Sequence, residues 1–214
     1  MKAVPEASHL LGLYTVFILF FVTLGPIKVL GPFMQLTHDA DEARTKQIAV
    51  RAFALALIAA VVGGFVGKLL VLNWHISGAA LTLAGGIIFL LVGLNVVLQQ
   101  YQPTPAAPAP LPQAPMAAAL RVAFPIVVTP YGIAAVIALL VNSPDLARTG
   151  AVMAILVVVM VLNLLAMLYA RRIVAGATVL ALQIIGAVLG VLQVALAVQF
   201  TLRGLYDLGV IGPG

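Results

Sequence analysis

The chain has 214 residues, of which 64% are apolar and only 8% charged, where a soluble domain carries about 25% charged residues. That balance excludes a water-facing globular surface as well as collagen-like, coiled-coil and disordered classes. The net charge of +5 sits singly at the ends of apolar runs, the habit of cytoplasmic lysines and arginines rather than of a nucleic-acid patch.

A transmembrane helix takes about 20 apolar residues, so the chain has room for six spans with short connections. In chain order they read Leu10 to Ile27 with a continuation to Leu36, Ala52 to Leu72, Ile76 to Leu98, Val122 to Val141, Gly150 to Ala170, and Ile173 to Leu202. The runs show no period-2 alternation, which disfavours a β-barrel. The first is too long and too proline-interrupted for a cleaved signal peptide and reads as a mature helix. The expected fold is an all-α integral membrane protein.

Between the third and fourth spans lies Gln102 to Met116, with six prolines in fifteen residues. Such a stretch predicts an extended, solvated connector, dividing a first half (1–101) from a second (117–214). Three spans in each half force the second to enter the membrane from the opposite side. If the halves are alike, they form an inverted repeat, an architecture of many secondary transporters. Loops one, three and five carry Arg44, Lys46, Arg51, Arg121, Arg171 and Arg172, against Lys2, Lys68, Arg148 and Arg203 on the other side. The bias predicts that both termini are non-cytoplasmic.

Each half opens on a span with two prolines, and the other spans have none: Thr23-Leu24-Gly25-Pro26-Ile27-Lys28 through Gly31-Pro32-Phe33, and Phe124-Pro125 through Thr129-Pro130-Tyr131-Gly132. Proline removes a helix donor and pushes its predecessor out of helical geometry. At the first helical position, after a cap, it starts a helix instead. Both spans are therefore expected to break, each beginning a second helix inside the bilayer. The amides and positive dipole ends there would suit an anionic solute group, unless the prolines are mere kinks. Candidate solute-binding residues are Gly25, Pro26, Lys28, Thr129, Pro130, Tyr131 and Gly132. Lys28 would hold a carboxylate or snorkel to the interface; Lys68 reads as a snorkelling lysine.

Asn95, Asn163, Gln183, Gln193 and Thr82 read as interhelical hydrogen-bonding groups or pathway lining. Gly63-x-x-x-Gly67 and Gly186-x-x-x-Gly190 allow close helix contact, internally or across a homodimer. No Asp or Glu lies within a span, which argues against a carboxylate proton relay. With no cysteine, three scattered histidines and no Walker A or HExxH pattern, no enzymatic, metal or cofactor machinery is expected.

Phe20-Phe21-Val22-Thr23-Leu24-Gly25-Pro26-Ile27 leading to Phe33, the segment Leu83-Ala84-Gly85-Gly86-Ile87-Ile88-Phe89-Leu90, and Phe124-Pro125 through Gly132-Ile133-Ala134 resemble the MarC family. The resemblance spans roughly residues 8 to 201. It implies a small six-span inner-membrane protein akin to amino-acid and ion exporters of the LysE superfamily, with neutral amino acid transporters among its relatives. Gly25 stands where that family usually has Asn, Lys28 where it usually has Gly, and Thr129-Pro130-Tyr131-Gly132 replaces a Gly-Pro-Gly type turn. The expected function is secondary transport of a small solute, an amino acid or similar carboxylate, in a lipid bilayer. The rival is a non-transporting membrane scaffold; multidrug efflux is weaker.

Overall fold

The computed structural model describes residues 12–99, 112–176 and 179–212, and every regular element among them is helical. The first apolar run forms α1 (Leu13–Leu24) and α2 (Pro26–Leu36), parted at Gly25, whose backbone is extended. Then come α3 (Glu42–Asn73) and α4 (Gly78–Gln99). The second half opens with α5 (Pro115–Arg121), which runs into a π-helical stretch, Val122–Val127, interrupted by extended geometry at Phe124. α6 (Pro130–Val141), α7 (Leu146–Leu168), α8 (Ala170–Gly176) and α9 (Val179–Asp207) complete the chain.

Among the described residues, Leu13–Leu36, Glu42–Asn73 and Leu146–Leu168 are each long and apolar enough to cross a bilayer. Pro115–Val127 and Pro130–Val141, bent by 63°, together make a fourth candidate.

Local chemistry sets the helix ends. α3 begins at Glu42, well before the apolar run that starts at Ala52, because the Asp41 carboxylate accepts from the Arg44 amide at 2.8 Å and caps the helix. A 2.7 Å ion pair with Lys46 holds the exposed Glu42 carboxyl below the usual glutamate range. Asp145 caps α7 in the same way, accepting from the Arg148 amide. α3 stops where His75 turns to a left-handed φ of 54° and the Ile76 amide bonds back to the Val71 carbonyl, the pattern of a Schellman cap. The Pro-rich connector ends earlier than its composition suggests: Pro115 and Met116 already lie in the first turn of α5, with proline at the tolerated position. Residues 102–111 lie outside the described residues.

α1 and α2 pack along α7, while α5, the π-helical stretch and α6 pack along α3; α3 and α7 meet each other, and α4 lies along α9. The core is closed by fully buried Phe20, Leu24, Phe33, Ile48, Leu156 and Met160. Ile58, Val62, Phe65 and Leu69, spaced along one face of α3, point outward, as does Val188 of α9. Lipid tails solvate such a face without cost. Gly63 and Gly67 face Ile133 and Ile137 of α6, and a Cβ on Gly67 would lie 2.3 Å from Ile137 Cδ1, so the first glycine seam is used for internal packing. The surroundings of Gly186 lie outside the described residues. Gly86 brings α4 so near α9 that a Cβ there would lie 2.6 Å from the Thr201 amide nitrogen.

Loops one, three and five converge through two arginines. The Arg44 guanidinium donates to the Pro112 and Gln113 carbonyls at 2.9 Å each, and Arg171 donates to the Ala40 carbonyl at 2.5 Å.

Candidate functional site

Both proline breaks predicted from the sequence are present, and they face each other. The end of α1 leaves carbonyls without helical partners. Two of them are met by side chains: the Lys28 ammonium donates to the Thr23 carbonyl, and the buried Asn163 amide of α7 donates to the Leu24 carbonyl at 2.5 Å. Asn163 also donates to Val159 O at 3.1 Å, and its Oδ1 has no partner among the described residues. Gly25 is set by space. A Cβ there would fall 1.7 Å from the Phe21 carbonyl oxygen, so the chain closes on itself at this point only without a side chain.

At the second break Thr129 is extended and its Oγ1 accepts from the Gly132 amide at 3.2 Å, capping α6, with Pro130 at the first helical position. Gly132 is buried against Leu24, where a Cβ would meet Leu24 Cδ2 at 2.3 Å. The absent side chain thus lets the start of α6 rest on the end of α1.

Lys28 reaches across this contact. Its Nζ lies 3.5 Å from both Thr129 Oγ1 and the Tyr131 hydroxyl, and 5.1 Å from the Tyr131 ring centroid. The ammonium points into the bundle, toward groups of the second half, and does not snorkel. Of the predicted residues, Lys28, Thr129 and Tyr131 share this polar cluster. Gly25, Pro26 and Gly132 shape the two breaks. Pro130 is exposed and serves the start of α6. The Gly132 amide, one of those expected to face an anion, is already taken by Thr129.

A cavity of about 380 Å³ begins at this cluster, with Thr23 and Tyr131 in its wall. It follows α6 past Ala134, Ala135 and Ala138, against Gly85, Gly86 and Phe89 of α4 and Phe200 of α9. It ends among Asn142, Arg148, Arg203 and Asp207. The Tyr131 ring separates Lys28 from Phe89, whose centroid lies 5.8 Å from its own. Small residues on α4 and α6 leave the space, while charged groups stand at its far end. The volume lies near the lower end of the range for small-molecule sites.

Of this lining, the sequence pointed to Tyr131 as a solute contact and to Thr82 as a candidate pathway residue, but not to the cavity itself. Arg148 and Arg203 entered that reading only as charges fixing orientation. The legible signal was small residues at helical spacing, Gly85 and Gly86 on one apolar span and Ala134, Ala135 and Ala138 on another.

No curated protein and no solved structure matches the chain. A family model described as MarC family integral membrane protein matches residues 11–208, taking in both breaks, the α4 segment and the whole cavity. The broken first spans and the glycine-rich α4 are thus features of a chain that belongs to the MarC family of integral membrane proteins.

Proposed function

We propose that the protein is a secondary transporter of a small solute, an amino acid or a similar carboxylate, which moves through the cavity beside the two breaks. The observation that carries this reading is the meeting of a small-molecule-sized cavity with two helix breaks at one point inside the bundle. A solute carboxylate on the floor formed by Thr23 and Tyr131 would lie within the field of Lys28.

The reading includes six spans: α1 with α2, α3, α4, α5 with α6, α7, and α8 with α9. It also includes an inverted repeat. Packing supports this: exchanging the first three spans for the last three turns the α1/α2–α7 contact into the α6–α3 contact and maps α4–α9 onto itself. By the loop charges, both termini lie on the non-cytoplasmic side of an inner, cytoplasmic-type membrane, and the Arg148 and Arg203 end of the cavity lies toward that side.

The test is flux into liposomes over a panel of amino acids and small carboxylates. Ala138→Leu fills the cavity without touching Lys28, and should cut flux about tenfold or more, equivalent to roughly 1.4 kcal/mol, at an unchanged unfolding temperature. Flux that survives this substitution would remove the cavity from the pathway. A wild-type protein that moves nothing in the panel would favour the scaffold alternative.

A further inference from the structure

We propose that the Lys28 ammonium is the tethered occupant of a monovalent-cation site built where the two breaks cross. Its surroundings are those of a cation site. The Thr23 carbonyl lies at the C-terminal end of α1, the negative end of that helix's dipole. Thr129 Oγ1 and the Tyr131 hydroxyl each lie 3.5 Å from Nζ, and the Tyr131 ring adds a π face. An ammonium has three N–H donors and accepts nothing, and here three oxygens stand around it, one for each donor. Carbonyls and half-helix C-terminal ends are also what hold a free cation in broken-helix membrane proteins.

The two hydroxyls come from the second half and the carbonyl from the first, so the charge joins the breaks. A free ion would have to bind for this junction to form, and its departure would undo it. Lys28 supplies a tethered cationic group instead, at an effective concentration set by its own side chain. The inference goes beyond the transport reading and does not depend on it, because it concerns what holds the two breaks together.

Removing the side chain should turn the tethered site into a vacant one that takes a small free monovalent cation. The experiment is thermal unfolding of the full chain in detergent, for wild type, Lys28→Ala and Lys28→Met. Each is measured in sodium, potassium, methylammonium and choline chloride at equal ionic strength. Wild type should unfold at one temperature in all four salts. Lys28→Ala should unfold lower in choline, which is too large for the space, and gain about 5 °C in at least one small cation. Lys28→Met fills the space without a charge, so it should be lowered and remain indifferent to the salt. Equal midpoints for Lys28→Ala in all four salts overturn the proposal. So does failure to recover that variant folded from any of them.

Discussion

At Gly25 the unpaired groups are carbonyls at the end of α1, and side chains from elsewhere meet them: Lys28 from beyond the break and Asn163 from α7. At Thr129 the unpaired groups are amides at the start of α6, and the residue at the break meets one of them itself, that of Gly132. The first break is therefore held by the fold, through a partner 139 residues away. The second is encoded locally, in the order Thr-Pro-x-Gly. Two positions that look alike as proline motifs thus fail in different ways when altered.

Gly25→Ala presses hardest on this contrast. Its methyl group would sit 1.7 Å from Phe21 O. The expected loss is on the order of 4 kcal/mol, among the largest single-residue effects, read as a collapse of the unfolding temperature or failure to purify. Gly31→Ala has open space around it and should be neutral or stabilising by up to about 1 kcal/mol. If the two alanines behave alike, the close approach at the first break is not what selects glycine.

Asn163→Leu should cost about 1–2 kcal/mol, because the Leu24 carbonyl loses its donor in a dry interior while the space stays filled. The loss should be read in detergent unfolding, and a double substitution with Lys28→Met should show coupling, since both side chains serve the end of α1. Strictly additive losses would mean that the two carbonyls are met independently. Thr129→Val keeps the shape and removes the cap oxygen, so it should cost about 1 kcal/mol. The loss should be confined to the first turn of α6, visible as faster amide exchange at Gly132. Faster exchange in α1 as well would show that the second break is not local after all.

These differences track what was readable in the sequence. Thr129-Pro130 and Gly25-Pro26 announced both breaks because proline chemistry is local. Lys28 was visible as a costly charge within a span, but its destination was not: contact with Thr129 and Tyr131 depends on how α6 rests on α1. Asn163 was legible only as one of several polar residues with the same reading, because nothing near position 163 indicates position 24. The cap at Asp41 lay outside the apolar run, so hydropathy alone missed the early start of α3. The cavity escaped for the same reason as Asn163. Its walls come from separate helices, and a small residue leaves room only when its neighbour is also small.

The arginine contacts at the opposite end have a consequence for how the molecule stores its preferences. Arg44 and Arg171 hold carbonyls of two separate loops, one of them the entry to the second half. The cavity, meanwhile, has Arg148 and Arg203 in its wall at the other end. Any rearrangement that hollowed the clasped end would have to release those carbonyls first, at about 1.5–3 kcal/mol for each charge-assisted bond. The resistance to such a change would lie in the loops, apart from the proline breaks in the interior.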